Sequence, residues 1–144
     1  MSDWLWIDAR DALTVHDRSL VVHGGAAGVR DLGLLDSALA RPQQLAASGT
    51  DPDVADLAAV YTAGIVKNHP FVDGNKRTGF VIGVLFLELN GVRFAAPEEA
   101  ATRAVLDLAA GVTTDADYAA FVRGISSADD EGSASGPQAS RLRS

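Results

Sequence analysis

Apolar residues recur every three or four positions along most of the 144-residue chain, which is the spacing of amphipathic helices. In one such stretch, Val54, Leu57, Ala58, Tyr61 and Ile65 share a single helix face. Start and stop signals divide the pattern into six predicted helices, at 9–23, 32–41, 54–68, 75–90, 97–110 and 115–125. The sequence therefore predicts an all-α bundle.

Capping residues and prolines set the predicted ends of these helices. Asp31 and Asp115 are expected to act as N-caps of the second and sixth helices. Pro42 is expected to end the second helix, because proline lacks the N–H that a helix interior needs. Segments 4–7 and 92–95 are each candidates for a short strand, so at most one small β element is expected.

The fourth helix is predicted to be the buried centre of the bundle. Between Phe80 and Leu89 only Glu88 is charged. A helix that is apolar nearly all round is normally enclosed by other elements.

The last 19 residues, 126–144, differ in composition from the rest of the chain. They contain six Ser, two Gly and one Pro, with Leu142 as the single large apolar residue. Such a segment buries too little surface to offset the entropy of ordering it. The predicted organisation is therefore a helical domain at 1–125 followed by a disordered tail at 126–144.

Charge and composition exclude several classes of function. The chain has 12 Lys and Arg against 19 Asp and Glu, a net charge of −7, which argues against direct binding of DNA or of an anionic membrane. Cysteine is absent, which excludes disulfides and thiolate chemistry. No apolar run is long enough to span a bilayer and no signal peptide is visible, so a cytoplasmic protein is expected.

The start of the fourth helix carries an unusual charge pattern. A helix N-terminus already bears about half a positive charge, yet Lys76 and Arg77 occupy the first turn. Each misplaced cation should cost roughly 0.3–1 kcal/mol, and a bound phosphate is the simplest compensation. Gly74 and Asn75 are placed to form a nest of N–H groups for the same anion.

Two further residues extend this site towards catalysis. Asp73 supplies a carboxylate beside the phosphate site, a combination that favours Mg²⁺, and His69 can take up a proton near neutral pH. Together these groups predict phosphate-based group transfer. Taken singly, each also has an ordinary explanation: Asp73 or Asn75 as a helix cap, Lys76 and Arg77 as surface charges, and His69 as a structural histidine.

The segment from His69 to Thr78, HPFVDGNKRT, resembles the signature of the Fic/Doc superfamily. It is closest to the death-on-curing (Doc) branch, whose pattern is H-x-F-x-[DN]-[AG]-N-K-R. Segments 31–42 and 86–91 resemble the second helix and the end of the central helix of that family. The resemblance implies a compact Fic fold and a type II toxin–antitoxin toxin. Such a toxin uses ATP to phosphorylate a translation factor, for this branch a Thr of elongation factor Tu, and is held by a Phd-like antitoxin.

The resemblance also implies a role for each polar position of the signature: His69 is the general base, Asp73 binds Mg²⁺, Gly74 and Asn75 build the anion-binding loop, and Lys76 and Arg77 hold nucleotide phosphates. It further implies that Lys67 and Asn68 assist His69, and that the connection 46–53 forms a flap that docks the target.

Two positions separate the chain from the enzymes of this superfamily that transfer AMP. Those enzymes follow H-x-F-x-x-G-N-G-R-x-x-R, whereas this chain has Lys76 at the second glycine and Phe80 at the last arginine. Both changes match the Doc branch, which implies a reversed nucleotide. Because Phe80 cannot hold a phosphate, phosphoryl transfer is predicted. AMP transfer, and a non-enzymatic partner-binding protein on the same scaffold, remain as alternatives.

Two other features are interpreted as structural. Gly24, Gly25 and Gly28 follow a helix instead of a strand, so they are predicted to form a helix stop and turn and not a nucleotide loop. His16 lies on the apolar stripe of the first helix and is predicted to be a core histidine with its hydrogen bonds satisfied.

Overall fold

A computed structural model describes residues 3–128 of the chain. This part folds into six helices and one two-stranded sheet, which confirms the predicted all-α class: α1 Ala9–His23, α2 Leu32–Ala46, α3 Val54–Asn68, α4 Asn75–Leu89, β1 Val92–Phe94, α5 Glu98–Ala109, α6 Asp115–Ile125 and β2 Ser126–Ala128.

The centre of the bundle is α3, which packs against α2, α4, α5 and α6. Every residue of α3 from Leu57 to Val66 is buried. Helix α4 lies beside α3 but buries only one face, and Phe80 and Val84 on its other side are half-buried. The prediction of a buried centre is therefore wrong for the fourth helix: α4 packs one face on α3, and α3 is the helix that is enclosed.

Two glycines on the buried face of α4 allow the close approach of α3. A Cβ added at Gly79 would lie 2.8 Å from Cγ1 of Val66 and 3.1 Å from the carbonyl oxygen of Thr62, and a Cβ added at Gly83 would lie still closer to the Thr62 hydroxyl. The Thr62 hydroxyl uses this proximity to donate a hydrogen bond of 2.8 Å to the Gly79 carbonyl. The pairing fixes the end of α3 beside the start of α4.

Replacing Gly79 with Ala should therefore destabilise the protein by about 1–3 kcal/mol, because the added methyl group has no space against α3. Gly124 in α6 provides a matched control, since a Cβ there meets nothing within 4 Å. Gly124→Ala should be neutral or stabilise by up to about 1 kcal/mol through helix propensity. Urea unfolding of both variants measures the difference; equal stabilities would contradict this account of the α3–α4 contact.

Helix α2 differs from its prediction, because it continues past Pro42 to Ala46. The ring of Pro42 is buried in the bundle, and this packing compensates for the one helix hydrogen bond that proline removes.

Two more local predictions are corrected. Segment 4–7 pairs with no strand of the described chain. Side chains bind its backbone instead: Asn90 bonds the N–H and the carbonyl of Leu5 at 2.9 and 3.1 Å, and the Tyr61 hydroxyl accepts from the N–H of Ile7. Helix α6 is capped by Thr114, one residue before the predicted Asp115.

The start of α3 is fixed by acidic residues. Asp53 caps the helix and exchanges hydrogen bonds with Asp56. Arg123 of α6 reaches both carboxylates, at 2.8 and 2.9 Å, and its hydrogen bond to Asp53 lowers the pKa of that carboxyl below its usual value.

The small sheet pairs the segment that follows α4 with the segment that follows α6. β1 and β2 are antiparallel, with Val92 opposite Ala128 and Phe94 opposite Ser126. The predicted strand at 92–95 is thus confirmed, and residues 126–128, which were assigned to the tail, belong to the fold. The rest of the predicted tail, 129–144, lies outside the described residues.

Between residues 3 and 128, none of the helices has the length and apolar character that crossing a membrane requires.

Candidate active site

His69 ends α3 in a left-handed conformation, with φ 52° and ψ 56°. Pro70 follows it and disfavours the right-handed helical region at the preceding residue. The N–H of His69 still bonds to the carbonyl of Ile65 at 3.1 Å. The side chain is exposed, and within residues 3–128 neither ring nitrogen has a hydrogen-bond partner. This histidine is therefore free to contact a ligand.

The loop between α3 and α4, residues 69–74, is the signature loop, and Phe71 anchors it. Phe71 is fully buried and stacks on the ring of His16, with ring centroids 3.9 Å apart and planes 10° from parallel. Nε2 of His16 bonds to the carbonyl oxygen of Asp73 at 2.8 Å. The prediction of a satisfied core histidine is thus confirmed, and this histidine also supports the loop that carries Asp73.

Asn75 shapes the same loop from within. Its Oδ1 accepts from the N–H of Phe71 and its Nδ2 donates to the Phe71 carbonyl, both at 3.0 Å. The side chain is buried and so faces the loop backbone. What Asn75 offers a ligand is its own N–H, at the first position of α4.

The N-terminus of α4 lacks the acidic cap that α1 and α3 have. Gly74 precedes the helix in a left-handed conformation, φ 77°, and in the described chain no side chain caps α4. The first turn contains no acidic residue, whereas Lys76 and Arg77 are exposed there. The ordinary capping role considered for Asp73 and Asn75 is therefore absent, and the N–H groups of this turn are available for an anion.

Asp73 lies beside this helix end. Its Oδ1 accepts from the N–H of Gly74 at 2.8 Å, and its Oδ2 accepts from the N–H of Ala26 at 3.2 Å. Each oxygen keeps a lone pair for a cation. No group of three or more His, Asp or Glu is gathered anywhere in residues 3–128. A single carboxylate suffices for Mg²⁺ where phosphate oxygens and water supply its other ligands.

The glycine-rich connection after α1 has a larger part than predicted. Gly24 does end α1, but Gly25 then passes directly over Asp73. A Cβ at Gly25 would lie 2.9 Å from Oδ2 of Asp73, and its φ is +115°, so a larger residue would strain the backbone and displace the carboxylate. The connection therefore holds the carboxylate of Asp73 in position. The sequence pattern did not reveal this role, because Ala26 and Asp73 are 47 residues apart.

Arg30 is a second residue that the sequence analysis missed. Its Nε donates to the carbonyl of His69 at 2.6 Å, and its Nη2 donates to the carbonyl of Asn68 at 2.8 Å. Asn68 contributes its main-chain carbonyl to this contact, and its predicted assistance to His69 stays a prediction. Lys67 is directed elsewhere, since its Nζ pairs with Asp115 of α6 at 2.9 Å.

The connection 46–53 does not lie near this site. It joins α2 to the first residue of α3, whereas His69 follows the last residue of α3. Fifteen residues of helix separate the two ends, a distance of roughly 22 Å at 1.5 Å per residue. The segment that does lie against the signature loop is the 24–31 connection, through Ala26 and Arg30.

A pocket of about 410 Å³ opens beside the two cations. It runs along α4 between β1 and α5 and is mainly apolar. Phe80 forms part of its wall and packs edge-to-face on Phe94, with centroids 5.6 Å apart. The residues that line it include Lys76, Arg77, Phe80, Val84, Phe94 and Thr102.

Comparison with known proteins matches this region. A sequence model of the Fic/DOC family covers residues 6–87, from before α1 to near the end of α4. "Toxin Doc" of Mycolicibacterium smegmatis (strain ATCC 700084 / mc(2)155) is 43% identical over 93 residues, 63% of this chain and 68% of the relative. "Protein kinase doc" of Escherichia phage P1 is 32% identical over 109 residues, 75% of this chain and 82% of the relative.

Proposed function

Since the chain belongs to the Fic/DOC family, we propose that it is the toxin of a toxin–antitoxin system and transfers phosphate from ATP to a protein hydroxyl. The observation that carries the proposal is the uncapped start of α4, where Lys76 and Arg77 stand in place of acidic residues. The exposed His69 lies at the other end of the same short loop. The names of the two relatives, a toxin and a protein kinase, support this reading.

The start of α4 binds the donor's phosphates. The N–H groups of the first turn bond phosphate oxygens, and the side chains of Lys76 and Arg77 add charge-assisted bonds. Asp73 would hold Mg²⁺, which when bound neutralises charge on the phosphates. The chain's own contribution is to position the donor and stabilise the charge that develops during transfer.

His69 acts on the acceptor. As the target hydroxyl approaches, a ring nitrogen of His69 takes its proton. The hydroxyl oxygen forms a bond to the γ-phosphorus, the bond from that phosphorus to the bridging oxygen breaks, and ADP leaves with the electron pair. The products are a phosphorylated protein, ADP and a proton on His69, which solvent then removes.

The pocket along α4 supplies a place for the base of the nucleotide. It begins at Lys76 and Arg77 and continues past Phe80 to Val84, so a nucleotide with its phosphates at the helix start can lay its base between apolar side chains. In the AMP-transferring pattern an arginine occupies the position of Phe80. An aromatic ring at this position suits a base and cannot clamp a phosphate.

Filling the pocket should weaken ATP binding selectively. Thr102 lines it from an exposed position on α5, so Thr102→Trp should raise the KM for ATP about tenfold, equivalent to about 1.4 kcal/mol. Binding of inorganic triphosphate should not change. Arg103→Trp, at the neighbouring exposed position outside this pocket, is the matched control. An unchanged KM in the Thr102 variant would exclude the pocket as the base site.

The proposed acceptor is a Thr of elongation factor Tu, and the proposed consequence is arrest of translation. Incubating the full chain with elongation factor Tu, Mg²⁺ and ATP labelled at the γ-phosphate should label the factor. ATP labelled at the α-phosphate should leave it unlabelled. Labelling from the α-phosphate would show AMP transfer, and no labelling from either would favour the non-enzymatic alternative.

The proposed regulator is a Phd-like antitoxin. A groove between α1 and α4 shares Arg77 with the donor site and mixes apolar side chains such as Val81 with charged ones such as Arg18 and Glu88. A peptide helix lying in this groove would cover Arg77 and block the phosphate site. If the neighbouring reading frame encodes a Phd-like protein, its co-expression should relieve growth arrest; persistent arrest, or the lack of such a reading frame, would contradict this partner.

A further inference from the structure

We propose that Arg30 is a positioning residue for the transfer reaction, because its guanidinium holds the backbone of His69 in the left-handed conformation. The inference rests on the proposed function for its catalytic consequence, but its structural part stands on the contacts of Arg30 alone. Arg30 lies 39 residues before His69 in the chain, outside the signature.

The backbone of His69 needs outside support. A residue other than glycine adopts the left-handed conformation only at a cost in free energy, because its Cβ lies too close to the backbone. In residues 3–128 only Asp51 and His69 among non-glycine residues have positive φ. The last carbonyls of a helix also lack intrahelical partners, and those of Asn68 and His69 are in this position at the end of α3.

Arg30 supplies this support with two donors. Nε bonds the His69 carbonyl at 2.6 Å and Nη2 bonds the Asn68 carbonyl at 2.8 Å. The planar fork of a guanidinium fits two successive carbonyls, which the single ammonium of lysine does not. A cation at the C-terminus of α3 also interacts favourably with the helix dipole.

The backbone around Arg30 is itself fixed to the signature loop. The N–H groups of Arg30 and Asp31 both donate to the carbonyl of Pro70, at 2.7 and 3.0 Å, and the N–H of Val72 donates to the carbonyl of Gly28 at 3.0 Å. The main chain that carries the guanidinium is therefore held in place against the signature loop. Its side chain and main chain together hold residues 68–70, which set the direction in which the imidazole leaves the backbone.

The contacts of Arg30 are with the α3 end of the loop, whereas the proposed phosphate site is at the α4 end. Loss of Arg30 should therefore displace the imidazole of His69 without disturbing the binding of ATP. A displacement of about 1 Å at a reacting group can lower a rate about 100-fold. We expect Arg30→Met to lower kcat between about 10-fold and 100-fold, with the KM for ATP unchanged within about twofold.

The test compares Arg30→Met and Arg30→Lys with Arg41→Met in the full chain. Arg30→Lys should retain intermediate activity, since an ammonium can reach one of the two carbonyls. Arg41 is an exposed arginine whose only described ion pair, with Asp115, is long at 3.5 Å, and its loss should leave kcat unchanged. Melting temperatures establish that each variant is folded. Unchanged kcat in Arg30→Met, or a fall explained by the unfolded fraction, would overturn the proposal.

A second measurement does not depend on activity. In NMR spectra, positive φ at His69 gives a strong intraresidue contact between its amide and α protons, which should be present in the unsubstituted chain and lost in Arg30→Met. Persistence of the contact in the variant would overturn the positioning role. If the contact is lost while the unsubstituted chain transfers no phosphate, the proposed function fails and the assignment of Arg30 to the His69 backbone stands.

Discussion

Replacing His69 with Ala should lower phosphate transfer to elongation factor Tu by about 10²–10⁴-fold, the usual contribution of a positioned general base. The side chain is exposed, and in the part of the chain that the structure describes its ring makes no hydrogen bond, so the fold should survive. The rate of transfer from γ-labelled ATP measures the effect, and the melting temperature should remain close to that of the unsubstituted chain.

A matched variant separates the chemistry from the backbone. Asparagine adopts the left-handed region more readily than most residues, so His69→Asn preserves the conformation at the end of α3 while removing the base. It should be as inactive as His69→Ala. Retention of more than about a tenth of the activity in His69→Asn would show that the ring is not the proton acceptor, since a base contributes at least about 10²-fold.

Replacing both Lys76 and Arg77 with Met should have two effects of opposite sign. A hydrogen bond to a charged group contributes about 1.5–3 kcal/mol, so loss of each cation should weaken ATP binding at least tenfold. The free protein should become more stable, because each cation near a helix N-terminus is unfavourable by roughly 0.3–1 kcal/mol.

Isothermal titration with ATP and Mg²⁺ measures the affinity, and thermal unfolding measures the stability. Arg93→Met removes an exposed cation from β1 and serves as the control for net charge. It should leave ATP affinity unchanged. Unaltered affinity in the double variant, or a lower melting temperature, would contradict the view that these cations are retained for an anion at the expense of stability.

The helices were largely predictable because their signals are local. Asp8 and Asp31 are capping residues next to apolar stripes of period 3.6, and the structure begins α1 and α2 directly after them. The end of α2 was not predictable in this way. Whether Pro42 stops a helix depends on what packs around its ring, and no local pattern reports that.

The site was predictable as far as it is contiguous in the chain. The residues from His69 to Arg77 fall within nine positions, so a motif and a helix-dipole argument find them together. The supports of the site come from elsewhere: His16 bonds Asp73 across 57 residues, and Arg30 bonds His69 across 39. Such pairs depend on how α1 and the 24–31 connection pack against the signature loop, and the spacing of apolar residues does not predict that packing.

The end of the domain shows the same limit. Residues 126–128 have a tail-like composition, yet they pair with β1. Backbone hydrogen bonds form this sheet, and they require no apolar side chain. Composition therefore placed the boundary too early.

The most direct test of the central claim is a crystal structure of the chain with a non-hydrolysable ATP analogue and Mg²⁺. We expect phosphate oxygens on the N–H groups at the start of α4, bonded also to Lys76 and Arg77, with Mg²⁺ on Asp73 and the terminal phosphate turned towards His69. An analogue bound with its phosphates away from α4, or Lys76 and Arg77 turned into solvent in the complex, would contradict it.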